Sequence, residues 1–225
     1  MILKYLLIVF TLILSLLGIR RNDIPEYKGG MTGLNSFISR SIIYPEYSKF
    51  NCLQGTIQVS FRLNKKGRIV QSKIERGMGI DLDDEALRVI RLTSGKWTVP
   101  AAFDTTQFLT IPINFSLREY NCESKSKEEI RDAIAAYKAR EDLTNAVVNY
   151  YQHKNAGNAN DENELKILDI KEQLGYDEKF IDRTIRQAGQ KLKQGDKESA
   201  CEDWTFVKNL GSDKADKFIN EHCKK

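Results

Sequence analysis

Catalysis needs a nucleophile with its base, paired acids, a metal-ligand set or a phosphate-cradling loop, and this chain offers few candidates for any of them. Its four cysteines, Cys52, Cys122, Cys201 and Cys223, form no Cys-x-x-Cys pair, which removes the main support for a zinc ribbon or a thioredoxin-like centre. Two isolated histidines, His153 and His222, are too few for a histidine-rich metal site. Asp81, Asp83, Asp84 and Glu85 could pass for a carboxylate cluster, but they open a helical pattern, where unpaired N–H groups favour negative charge; they read as helix-capping acids. No Ser/His/Asp set or glycine-rich phosphate loop is present. The sequence therefore gives no catalytic residue, no metal site and no cofactor, and it reads as a non-enzyme. What the cysteines can do is cross-link. Their even number suits two disulfides in an oxidising compartment, with three connectivities open, against the alternative that each is a small buried hydrophobe. Cys201 and Cys223 are expected to pair because a closing helical hairpin can bring them within the Cα separation, roughly 4.4–6.8 Å, that a bridge requires. A bridge between Cys52 and Cys122 would tie a hairpin to the strand that follows it.

The elements that position these residues fall into two units behind an apolar leader. Of 225 residues, 41% are apolar and 29% charged, an ordinary globular composition. The net charge of +4 is too small for the many phosphate contacts of a dedicated nucleic-acid binder. Residues 1–122 carry 16 basic and 10 acidic side chains and residues 123–225 carry 19 and 21, so the composition changes near residue 120. Met1–Ile19 contains one charge, Lys4, and reads as either a cleaved export signal or an uncleaved membrane anchor. The uninterrupted stretch Tyr5–Ile19 covers about 22 Å as a helix, short of a hydrocarbon core of roughly 30 Å, which favours a signal. The absence of an Ala-x-Ala-type cleavage site favours an anchor. Both place the remainder outside the cytoplasm, in the periplasm, with the N-terminus at the inner membrane if it is not cleaved.

The first unit covers residues 28–119. Phe37, Ile38, Ile42 and Ile43 recur at helical spacing from Leu34 until Tyr44-Pro45, and a short helix over Pro45–Phe50 follows. The period then becomes two. Ile57, Val59, Phe61 and Leu63 alternate with polar residues, Asn64-Lys65-Lys66-Gly67 makes a turn, and Arg68–Glu75 returns as the second strand of a hairpin. After the acidic helix, with Leu82, Ala86, Val89 and Ile90 on its apolar face, Leu109, Ile111, Ile113, Phe115 and Leu117 alternate through a third strand. Pro112 inside it cannot donate a ladder hydrogen bond, so this strand belongs at a sheet edge with position 112 facing away from its neighbour. The fold class is α+β: a small antiparallel three-stranded sheet with two or more helices, followed by an all-α helical domain.

Several motifs of this unit, in this order, resemble those of the C-terminal domain of TonB energy transducers of the Bacteroidetes type: Tyr27-Lys28-Gly29-Gly30, Tyr44-Pro45, Gly55-Thr56-Ile57-Gln58-Val59-Ser60-Phe61, Gly67, Leu82-Asp83-Asp84-Glu85-Ala86-Leu87, Trp97 with Pro100, and Ile111-Pro112-Ile113-Asn114-Phe115. The resemblance implies a periplasmic domain that grips a short peptide of outer-membrane transporters by strand addition and is pulled by ExbB/ExbD-like motor proteins. On that reading the third strand supplies the binding edge, with Phe108, Thr110 and Asn114 on the face opposite Leu109, Ile111, Ile113 and Phe115. The chain also departs from the family. Only Arg20–Tyr27, at most about 28 Å when extended, separates the apolar run from the domain, in place of a long Pro-rich linker. The apolar run lacks the histidine of the motor-contact pattern, and Ala101-Ala102-Phe103-Asp104 replaces the usual glycine after Trp-x-x-Pro.

The second unit covers residues 124–225 and reads as helical. Ser126 with Glu128 and Glu129 marks a helix start, and Ile130, Ile134, Tyr137, Leu143 and Val147 carry a long helix to about His153. Leu165, Ile167, Leu168 and Leu174 mark a second helix, and Phe180, Ile181, Ile185 and Leu192 a third. The closing segment, with Ala200, Trp204 and Gly211, resembles the last repeat of tetratricopeptide or Sel1-like arrays; a single repeat makes no groove, so it reads as a helical appendage. The functional expectation is a periplasmic TonB-family protein that binds a transporter peptide in envelope transport. The alternative is an envelope scaffold holding other proteins together without energy coupling.

Overall fold

Ile57, Val59, Phe61 and Leu63 are all fully buried, and the first unit is built around the strand that carries them. The computed structural model describes residues 24–118, 120, 122, 124–157 and 163–223; the apolar run read as a signal or anchor lies outside them. Among the described residues, no helix is long and apolar enough to cross a membrane.

The chain opens with β1 (Glu26–Tyr27), α1 (Gly30–Ser41) and α2 (Glu46–Phe50), followed by β2 (Gly55–Leu63), β3 (Ile69–Arg76), α3 (Asp81–Arg91), β4 (Trp97–Thr98) and β5 (Leu109–Phe115). The sheet order is β3-β2-β5, antiparallel throughout, while β1 and β4 make a separate two-stranded ribbon. Period-two alternation sends the apolar half of β2 and β5 toward Leu34 and Ile38 of α1 and Leu82, Ala86, Val89 and Ile90 of α3, which together form one core. The α+β reading of this unit is borne out, with two boundary corrections. The first helix begins at Gly30, not Leu34, and Ile42 is already extended, so Ile42 packs on the core and Ile43 is buried from a connecting segment rather than from the helix. The third strand stops at Phe115, where Gln54 Oε1 accepts from the Leu117 N–H at 2.7 Å.

At the hairpin turn Gly67 has φ +70°, and a Cβ there would lie 2.0 Å from the Trp97 carbonyl oxygen, so both the dihedral and the space demand glycine.

Asp81, Asp83 and Asp84 do lie in the first turn of α3, where the helix end favours negative charge, but none of them is the cap. The N-cap is Ile80, with no side-chain cap bond. Asp81 reaches across to α2 and accepts from Ser48 N and Oγ. Asp83 accepts from Met78 N at 2.9 Å and Gly79 N at 2.8 Å, closing the turn that precedes the helix. Glu85 is buried, accepting from Ile43 N at 2.7 Å and pairing with Arg88. Asp81, Asp83 and Glu85 are thus committed to fold geometry. Spacing reveals a run of acids, but not which loops their side chains hold.

The second unit comprises α4 (Lys127–Asn155), α5 (Glu164–Gln173), α6 (Glu178–Lys193), α7 (Lys197–Asn209), a short α8 (Asp216–Phe218) and a π-helical turn (Ile219–Cys223). Ser126 and Glu129 form a reciprocal capping box, with N···O distances of 3.2 and 2.8 Å. The long helix serves both units: Ile130, Ala133, Ile134 and Tyr137 pack on the first core, and Val147 and Tyr151 lie in the second. Apolar residues expected to be buried diverge here. Ile167 and Leu174 are buried, whereas Leu165 is 79% exposed, and Leu143 and Leu168 also face solvent. Trp204 centres the second core, with the rings of Phe218 and His222 stacked on it at centroid distances of 5.3 and 5.5 Å. Cys201 is bonded to Cys223, fixing the terminal turn onto α7, and Cys52 is bonded to Cys122, fixing the turn before β2 to the segment after β5; the Cα separations are 5.6 and 5.5 Å.

Candidate functional site

The open edge of β5 is the feature with most capacity to bind. β5 pairs with β2 along its whole length, from Gly55↔Phe115 to Phe61↔Leu109, and among the described residues it has no strand on its other side. Such an edge carries main-chain donors and acceptors with no ladder partner.

Which groups face outward follows from the proline. In an antiparallel ladder, opposed residues alternate between pairs that exchange N–H···O bonds and pairs that do not. Pro112 lies opposite Gln58 and has no N–H, so Gln58/Pro112 is a non-bonded pair. The pairs two residues away, Ser60/Thr110 and Thr56/Asn114, share its character. Side chains approach most closely in pairs of that kind, and here they touch: Ser60 Oγ lies 2.7 Å from Thr110 Oγ1, and Thr56 Oγ1 lies 3.2 Å from Asn114 Oδ1. The main chains of Thr110, Pro112 and Asn114 thus point away from β2. They present N–H groups at residues 110 and 114 and carbonyls at all three, about 7 Å apart along the strand. The alternate residues Leu109, Ile111, Ile113 and Phe115 spend their main-chain bonds on β2.

The side chains of Thr110, Pro112 and Asn114 stand exposed on the sheet face opposite the core, while Ile113 and Phe115 are buried in it. Phe108 immediately precedes the strand and is partly exposed, with Arg62 Cζ 5.7 Å and Lys73 Nζ 5.1 Å from its ring centroid. Ser60, on the polar half of the β2 alternation, is only 1% exposed: it is a buried bridge, held between Thr110 and Glu75 Oε2. The Lys73 ammonium and the Ser60 hydroxyl bound to Glu75 lower the pKa of its carboxyl. The polar half of the β2 alternation signalled this face, but not which members would touch across strands.

The loop leading into β5, where the family's glycine is missing, is held by Lys65, whose Nζ donates to the carbonyls of Ala101 and Phe103 at 2.7 and 2.6 Å. Asp104 then closes a turn by accepting from Thr106 N and Oγ1 at 2.9 and 2.8 Å, bonds that lower its carboxyl pKa. A lysine in the preceding hairpin thus holds the loop in which that glycine is replaced.

A second concavity, a cleft of about 620 Å³, lies where α4, α6 and α7 meet α2 and α3. Arg140 of α4 lies against two of its aromatic walls, with Cζ 5.3 Å from the Tyr47 ring and 5.2 Å from the Tyr176 ring, and donates to the Leu174 carbonyl. Tyr47 Oη donates to the Ala133 carbonyl at 2.6 Å. These contacts join the units. The cleft is on the helical side of the sheet and leaves the β5 edge free.

Residues 40–117 match the family model described as Gram-negative bacterial TonB protein C-terminal. The solution structure of the Helicobacter pylori TonB C-terminal domain is similar at 25% sequence identity, covering 40% of this chain and 96% of that one, with a TM-score of 0.34. No curated protein matches the chain.

Proposed function

We propose that this chain, whose residues 40–117 match the TonB C-terminal family model, acts in envelope transport by taking an extended segment of an outer-membrane transporter as an added strand on β5. The observation that carries this reading is the outward main chain of Thr110 and Asn114 on a strand braced along its full length by β2. Such an edge recognises a backbone rather than one side chain, which suits a partner segment that is extended and has unpaired donors and acceptors of its own. Phe108 and the side chains of Thr110 and Asn114 flank the edge that such a segment would follow.

TonB C-terminal domains of Gram-negative bacteria are periplasmic, and we place this one there too. Its leader, Met1–Ile19, acts as signal or inner-membrane anchor. The eight residues Arg20–Tyr27 cannot span a periplasm, so coupling to ExbB/ExbD-like motor proteins would run through a complex with a longer TonB-like chain.

The docked helical unit supports a second reading, an envelope scaffold whose TonB-like and helical faces each hold a partner. Amide hydrogen exchange on the full chain separates the two. Adding N-terminal transporter peptides should slow exchange at Thr110 and Asn114, while Ile111 and Ile113, already bonded to β2, change little. Binding accompanied by protection only within residues 127–223 would reject strand addition in favour of the scaffold.

A further inference from the structure

We propose that Pro112 makes the β5 edge selective, admitting one foreign strand while rejecting a second copy of β5. The inference shares the edge with the function proposed above but does not depend on that function's ligand.

A free, well-braced, seven-residue edge is a template for pairing with itself. Two copies of β5 could meet antiparallel about a two-fold axis, using the outward groups of residues 110, 112 and 114. Centred on residue 112, Thr110 would bond with Asn114 of the other copy at both ends, but the central pair would set two proline carbonyls face to face with no donor between them. Shifted by one position, each Pro112 would oppose Thr110 or Asn114 of the other copy and leave that residue's carbonyl without a partner. Every such register loses two donors, because each copy brings one proline. A foreign strand without proline loses only one.

The missing donor therefore weighs twice against self-pairing and once against a partner. It acts at no cost to the β2–β5 ladder, since position 112 faces away from β2. The exposed Pro112 side chain makes no contribution to the buried core that a replacement would remove. Edge prolines are one of the general devices by which sheets avoid edge-to-edge association. Here the device sits at the middle of the outward-facing set, where every central register must include it.

The test is sedimentation velocity of the full chain in mild detergent, with no peptide present. Pro112→Val restores the outward N–H with a residue suited to a strand, and Pro112→Thr does so with a different side chain. Both should self-associate at least about tenfold more tightly than the unaltered chain, as expected for two recovered hydrogen bonds. Adding Thr110→Pro to Pro112→Val should return the association to its original level. Folded Pro112→Val and Pro112→Thr proteins that associate no more tightly would overturn the proposal. So would association that persists in the Thr110→Pro/Pro112→Val protein, since another surface would then be responsible. Neither result bears on peptide binding, so failure here leaves the strand-addition reading to its own test.

Discussion

The Arg88 guanidinium, on α3 of the first unit, lies 3.4 Å from the Asp196 carboxylate, which opens α7 in the second. The same group donates to Glu85, to the Ser41 carbonyl and to Gln194 Oε1, at 2.7, 2.7 and 2.8 Å. Burial opposes its charge, but the bonds and charges of Glu85 and Asp196 outweigh it and raise the pKa. Five donors in a planar fork satisfy partners from both units at once, which a lysine cannot imitate.

Replacing Arg88 by Met should therefore leave the Glu85 carboxylate buried without its cationic partner, with only the Ile43 N–H bonded to it, and cost about 3–5 kcal/mol. Arg88→Lys should recover only part of the loss. Denaturant unfolding of the full chain measures both; a loss under 1 kcal/mol for the Met variant would mean that the junction does not depend on this group.

Stability should fall as pH rises from about 4 to 8. Burial raises the pKa of Asp81 against the opposing bonds from Ser48, and burial raises that of Asp203 against its pairing with Lys191. A carboxyl with a raised folded-state pKa holds its proton more tightly when folded. Its contribution is full below the ordinary carboxylate value and is lost as pH climbs through the raised one. The melting temperature should be higher at pH 5 than at pH 8. Asp81→Asn should flatten the difference, because an amide can still bond Ser48 N and Oγ without a charge. An unchanged profile in that variant would exclude Asp81 as a source.

Gly67 and Gly79 share φ +70° but not their surroundings. A Cβ at 67 meets the Trp97 carbonyl, and one at 79 meets nothing within 4 Å. Gly79→Ala should cost about 1 kcal/mol, from the dihedral alone. Gly67→Ala should cost several times more, because the β4 backbone must move. Equal losses in thermal unfolding would contradict this geometry.

The disulfides should differ in weight. Cys52–Cys122 spans a sequence separation of 70 and Cys201–Cys223 one of 22. By loop-closure entropy these correspond to about 4 and about 3 kcal/mol. Paired Ser variants compared in denaturant should rank in that order.

How far the sequence was legible depended on whether a feature is local. The alternation in β2 and β5, the edge position implied by Pro112 and the helix start at Ser126 follow from period and backbone chemistry within a few residues, and each is present in the structure. The acids at the start of α3 look like a helix-end feature because spacing reports charge but not target; Ser48 and Ile43 lie more than thirty positions away in sequence. Leu143, Leu165 and Leu168 fit a helical period yet face solvent, because burial depends on which helices lie alongside. The Arg88 junction joins residues more than a hundred positions apart, beyond the reach of any local pattern.

Strand addition is tested most directly at Thr110. Its N–H faces away from β2, so proline there should spare the ladder and remove one donor offered to a peptide. Both Thr110→Pro and Thr110→Ala lose the hydroxyl contact with Ser60, which cancels in the comparison. With both variants folded by circular dichroism, affinity for N-terminal transporter peptides should drop at least about tenfold for Pro and stay within about threefold of the original for Ala. Equal affinity of the two variants would contradict the assignment of the β5 edge as the binding site.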